Sequence, residues 1–122
     1  MLTQNIGQAG EKAACKYLKK HGYKILECNY KCYSGKMVGE IDIVAQKGDT
    51  IYFVEVKTRK NEEFGLPCEA VTKSKQHKLI RTAYTYIAEH HLDCNYSFDI
   101  VEAFHNDKKI VSVRHIPGAF TL

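Results

Sequence analysis

Two runs rich in Val, Ile, Tyr and Phe, Val38–Gln46 and Thr50–Thr58, flank the short segment Lys47-Gly48-Asp49. Runs of this composition around a short glycine-containing turn form a β-hairpin. The hairpin constrains the chain more than any other feature, because a buried pair of strands needs a sheet to join and helices to cover it. Charged residues are depleted from strand interiors, yet Glu40, Asp42, Glu55 and Lys57 interrupt these two runs. Side chains alternate across a strand, so Glu40 shares a face with Asp42, and Glu55 with Lys57. A turn at Lys47-Gly48 sets Asp42 opposite Phe53 and Glu40 opposite Glu55. A turn at Gly48-Asp49 sets Asp42 opposite Glu55 and Glu40 opposite Lys57. Either register puts all four charged groups on one side of a regular sheet, and a slip of one residue separates them.

Carboxylates brought this close repel each other unless a cation lies between them. Two or three carboxylate oxygens suit Mg²⁺ or Mn²⁺. Such an ion polarises a phosphoryl oxygen and acidifies bound water. A lysine two residues beyond Glu55 is placed to orient the water or to stabilise the added charge of the transition state. A lone Glu-x-Lys is a common surface ion pair; Asp42 and Glu40 on the same face turn the reading towards chemistry.

The remainder of the chain supplies covers and further strands. Ile6, Ala13, Ala14, Tyr17 and Leu18 recur at three- and four-residue spacing, which predicts a helix from about Gln4 to His21, stopped by Gly22. Glu11 lies at the margin of its apolar stripe, and Gly7 and Gly10 permit close approach to another backbone. Glu11 is thereby a further carboxylate for the cluster or a plain solvent-facing residue near the helix start. Tyr23–Tyr30 reads as a strand and Lys31–Val38, with Ser34 and Gly35, as a turn or loop. Arg59–Pro67 reads as a polar loop. A second long helix follows over about Thr72–His91, with Leu79, Ile80, Ala83, Tyr86 and Ile87 as its stripe. Tyr96–Phe104 and Lys109–Ile116 form a second hairpin through His105-Asn106-Asp107-Lys108. The order α-β-β-β-α-β-β predicts an α/β chain with a mixed sheet of four to five strands flanked by helices. At 122 residues it forms one domain, 1–122, large enough for its own core.

Composition narrows the function classes. The apolar share of 44% and charged share of 26% suit an ordinary globular protein. No apolar run approaches the ~20 residues of a spanning helix, and the polar N-terminus lacks a signal-peptide pattern, so a cytoplasmic protein with no membrane role is expected. The five cysteines, Cys15, Cys28, Cys32, Cys68 and Cys94, are odd in number and widely spaced, which argues against a disulfide framework. Only Cys28 and Cys32 are close, and zinc would need two more ligands at a suitable spacing. The six histidines have no triad or metal spacing and read as structural or solvated. The formal charge is +4, and the whole surplus resides between Val56 and Arg81. A basic concentration on one segment marks a polyanion partner or simply a solvated face.

The motifs Gly7-Gln8-Ala9-Gly10-Glu11, Gly39-Glu40-Ile41-Asp42 and Phe53-Val54-Glu55-Val56-Lys57-Thr58-Arg59 together resemble the YraN-like proteins. These are small bacterial members of the PD-(D/E)XK nuclease superfamily, which also contains Holliday-junction resolvases and restriction endonucleases. Gly22-Tyr23-Lys24-Ile25-Leu26, Asn29-Tyr30, the helix over Ala83–Ile87 and Ala119-Phe120 extend the resemblance over nearly the whole chain. It implies a restriction-endonuclease-like core and a divalent-metal-dependent endonuclease acting on DNA, with branched DNA as one substrate class. It also implies Asp42 and Glu55 as ligands for Mg²⁺ or Mn²⁺, with Glu40 as an additional or supporting ligand. Lys57 is then the catalytic lysine, and Glu11 the helix-borne acid that completes the site. Arg59, Lys60, Lys73, Lys75 and Lys78 are the expected nucleic-acid contacts. Where many relatives have Arg before the Phe-Asp of the later strand, this chain has Ser97 before Phe98-Asp99, so Asp99 reads as structural. Related resolvases act as dimers, so a homodimer or a DNA-processing protein is the expected partner. The alternative function is a non-catalytic nucleic-acid-binding or adaptor protein that keeps the nuclease fold.

Overall fold

A computed structural model describes residues 5–67, 71–90 and 93–120. Cys68, His91 at the end of the expected second helix, and Glu69 within the basic segment Val56–Arg81 lie outside the described residues. The order is α1 (Ile6–Lys20), β1 (Lys24–Ser34), β2 (Lys36–Lys47), β3 (Thr50–Lys60), a 3₁₀ turn at Asn61–Glu63, α2 (Lys73–Glu89), β4 (Asn95–His105) and β5 (Ile110–Phe120). The five strands form one mixed sheet in the order β1-β2-β3-β4-β5, with β3 and β4 parallel and the other pairs antiparallel. Because β3 and β4 run parallel, their connection must cross over the sheet, and α2 supplies that crossover. None of the helices described is long and apolar enough to cross a membrane.

The helices cover opposite faces. Ala14 and Leu18 of α1 pack with Ile43, Ala45, Val54 and Val101. Ala83 and Tyr86 of α2 pack with Val44, Ile51, Phe53 and Phe98. The alternation Ile43/Val44 and Phe53/Val54 thus divides the two cores. Each helix begins on a polar cap: Asn5 accepts from the Gln8 N–H at 2.7 Å, and Thr72 from the Lys75 N–H at 3.2 Å.

The region read as a turn or loop, Lys31–Val38, turns at Gly35 but is otherwise paired as a tight hairpin. Tyr33 faces Met37 and Ser34 faces Lys36 across Gly35, whose φ of 75° only glycine adopts freely. Its strands extend past the core, with Tyr33 65% and Met37 49% exposed, so no buried alternation marks them in the sequence. Arg59 and Lys60 likewise continue β3 rather than opening a loop, because their backbones pair with Phe104 and His105 of β4.

Two buried carboxylates hold the β4–β5 side together. Glu102, fully buried, accepts from Arg59 at 2.6 Å and from Arg114 at 2.7 Å. Asp99, 1% exposed, accepts from Ser97 at 2.6 Å and from the Gly118 N–H at 3.0 Å, and pairs with His115 at 2.7 Å. These bonds outweigh the burial of Asp99 and lower its carboxyl below the usual range. Asp99 is therefore structural, as its sequence context suggests.

A candidate carboxylate site at the fork of β2 and β3

The observed turn is Gly48-Asp49, with Lys47 opposite Thr50. The β2–β3 ladder runs up to Ile43 opposite Val54. At the next position Asp42 places its carboxylate where a ladder bond would continue, and Oδ2 accepts the Val56 N–H at 2.8 Å. The strands thus fork at Asp42.

A local break in β1 and β2 shapes this fork. Ile41 belongs to the α2-side core and Ile43 to the α1-side core, although residues two apart should share a face. Opposite this break, Asn29 of β1 has φ 54°, a left-handed conformation that Asn tolerates better than most residues. β1 changes face there too: Cys28 meets Cys15 of α1, whereas Tyr30 packs into the α2-side core. The paired break lets Asp42 and Ile43 line the same cavity under α1. It also modifies the expected arrangement of four charges on one side. Glu55 and Lys57 alternate with Val54 and Val56, which pack on the α1 side, so Asp42 reaches Glu55 through the fork rather than across a regular face.

The cavity, of about 640 Å³, contains Glu11, Asn29 and Asp42 among its lining. Gly10 sets Glu11 there, since a Cβ at that position would run into Thr58 and close against Ala103. Gly39 does the same for α2, where a Cβ would overlap Thr82. Asp42 lies against the Glu55 carboxyl. Burial first, then the charges of Glu55 and Glu40, push its carboxyl up to about 7 despite the opposing Val56 N–H. Glu11 is also raised, by burial and by the charges of Asp42 and Glu40, against a hydrogen bond from Asn29. The structure thus brings Glu11, Glu40, Asp42 and Glu55 into one electrostatic cluster. Glu40 pairs across the sheet with Lys31, at 3.9 Å. Lys57 lies half-buried two residues beyond Glu55 on β3.

Among the described residues, no three His, Cys, Asp or Glu side chains form a ready metal cage. The donor set still fits a hard divalent ion, because Mg²⁺ takes one or two carboxylates and completes its shell with water and phosphate oxygens. Asp42 and Glu55, whose carboxyls meet at the fork, are such a pair.

The basic residues divide. The Arg59 guanidinium turns inward to Glu102, with its side chain 14% exposed. Lys60 is exposed at the end of β3, and Lys73, Lys75 and Lys78 are exposed on α2, across the sheet from the cavity. Among the described residues, the lysines lining the cavity are Lys12, Lys16 and Lys19 of α1. These three lie outside the basic segment Val56–Arg81. Their i, i+4, i+7 spacing places them along one side of a helix, and only the packing of α1 shows that this side borders the carboxylates.

The model for UPF0102, described as an uncharacterised protein family, matches residues 10–103. A UPF0102 protein of Caldanaerobacter subterraneus subsp. tengcongensis is 46% identical over 96% of this chain and 95% of its own. One from Clostridium acetobutylicum is 44% identical over 99% and 98%. A third, from Caldicellulosiruptor saccharolyticus, is 42% identical over 98% and 100%.

Proposed function

The chain belongs to the UPF0102 family, and within that family we propose that this protein is a divalent-metal-dependent endonuclease hydrolysing DNA phosphodiester bonds. The observation that carries the reading is the Asp42–Glu55 pair: two carboxylates meeting at a strand fork beside Glu40 and Glu11. A carboxylate pair held against its own repulsion is unfavourable for stability alone, which is why such pairs concentrate at functional sites. The resemblance to the YraN-like group of the PD-(D/E)XK superfamily assigns the same residues.

Asp42 and Glu55 would hold Mg²⁺ or Mn²⁺. When bound, the ion supplies charge for a phosphoryl oxygen and a more acidic water. The Val56 N–H fixes the orientation of Asp42 at 2.8 Å. Lys57 contributes a cation beside Glu55 where negative charge accumulates on the phosphoryl group. Glu11, whose carboxyl is raised above its usual range by burial and by the charge of Asp42, suits a group that accepts or returns a proton. Lys12, Lys16 and Lys19 span about 10 Å of helix, a length that serves two or three backbone phosphates.

The test is a panel of linear, nicked, flapped and four-way DNA incubated with Mg²⁺ or Mn²⁺. Cleavage should disappear in Asp42→Ala, Glu55→Ala and Lys57→Ala. Cleavage that survives all three would place the activity elsewhere. Salt-sensitive binding without cleavage of any substrate would instead favour a non-catalytic DNA-binding or adaptor protein.

A further inference from the structure

We propose that Cys15 and Cys28 are a redox-modification site, forming a reversible disulfide with oxidants of the peroxide or small-molecule disulfide class. Their sulfur atoms lie 3.6 Å apart, one from α1 and one from β1. A disulfide of ~2.05 Å requires an approach of about 1.5 Å, within the range of side-chain rotation. The pairing is not legible in the sequence, where Cys28 and Cys32 are the close pair. The break at Asn29 separates those two: Cys32 contacts Thr85 of α2 at 3.8 Å, on the other face of the sheet.

Both sulfurs border the carboxylate cavity, but their exposure differs. Cys28 is exposed and Cys15 half-buried. An oxidant therefore meets Cys28 first. With hydrogen peroxide, the Cys28 sulfur attacks one oxygen, the O–O bond breaks, and sulfenic acid and one water result. The Cys15 sulfur then displaces the sulfenic hydroxyl, the S–S bond forms, and a second water leaves. Two thiols are oxidised and one peroxide is reduced to two waters. With glutathione disulfide, two successive exchanges release two glutathione thiols.

The position gives the bond a structural effect. Cys28 adjoins Asn29, which borders Glu11 in the cavity, and Cys15 lies one helical turn beyond Glu11. The oxidised form ties α1 to β1 beside that contact. Closing the loop between them also restricts the unfolded chain.

The reduced full-length protein is treated with hydrogen peroxide or glutathione disulfide, its remaining thiols are alkylated, and it is digested with trypsin. Lys16, Lys19, Lys20 and Lys24 separate the two cysteines, so an intramolecular link joins two distinct peptides. The expected result is that linked pair, with Cys32 and Cys94 alkylated. The thermal midpoint should rise by several degrees and return with reductant. Cys28→Ser should leave Cys15 alkylatable after treatment. The proposal is overturned by a Cys28 adduct in wild type with Cys15 still free, by a link between two copies, or by a link that leaves the thermal midpoint unchanged. None of these measurements depends on nuclease activity.

Discussion

Replacing Asp42 by Asn tests the carboxylate cluster without any assumption about substrate. The amide keeps the shape, its oxygen can still accept the Val56 N–H, and its nitrogen can donate to Glu55. In metal-free protein the native Asp42 carboxyl is held at about 7, mainly by burial and the charge of Glu55, against 3.8 for an ordinary Asp. The native state therefore binds more protons than the unfolded state between about pH 4 and 7, so this group's contribution to stability falls as pH rises through that window. A shift of that size corresponds to about 4 kcal/mol. Burial of the charge is the larger cost and repulsion from Glu55 the next, and removing both relieves about 2–4 kcal/mol. Urea unfolding of both proteins, in chelator, should find Asp42→Asn more stable than wild type by that amount near pH 8. Near pH 4 the difference should shrink to within about 1 kcal/mol. Adding Mg²⁺ should stabilise wild type and leave Asp42→Asn little changed. A variant less stable than wild type near pH 8, or a difference that does not vary with pH, would refute the reasoning.

Three further outcomes follow from the geometry. Replacing Lys12, Lys16 and Lys19 together by Ala should reduce the slope of log binding against log salt by about 2–3 for duplex DNA, measured by fluorescence anisotropy. A slope that stays at the wild-type value would remove these lysines from the interface. Gly39→Ala should destabilise by about 1–3 kcal/mol in urea, because the new methyl overlaps Thr82 of α2. Adding Thr82→Ala should recover part of that loss. Arg114→Ala removes a bond to buried Glu102 and bonds to the Phe64 and Leu66 carbonyls. It should lower stability by about 1–3 kcal/mol and hasten protease cleavage near residues 64–66.

Much of the fold was legible because its elements carry strong local periodicity. The α1 stripe, the β2–β3 hairpin and the long α2 each repeat apolar residues over enough length to mark their type. The tip around Gly35 was not legible, because its strands are exposed and bury no alternating face. The inward Arg59 was also hidden: its partner Glu102 lies on β4, and only the parallel pairing of β3 with β4 brings them together.

The candidate site shows the same division. The residue types and spacing of Glu40, Asp42, Glu55 and Lys57 singled them out as charges within apolar strands, and the choice between two registers was narrow. Sequence alone determined that this hairpin carries carboxylates that must be accommodated together. Tertiary structure decided how. A period of two assumes unbroken alternation, and the left-handed Asn29 breaks it opposite Asp42. Together with the matching break between Ile41 and Ile43 of β2, it accompanies the turn of Asp42 towards the cavity under α1, the separation of Cys28 from Cys32 and the meeting of Cys28 with Cys15. The placing of the α1 lysines beside the cavity is likewise tertiary, set by the packing of Ala14 and Leu18 on the sheet. A helix reports which of its own residues share a face, while what that face meets depends on where the sheet beneath it bends.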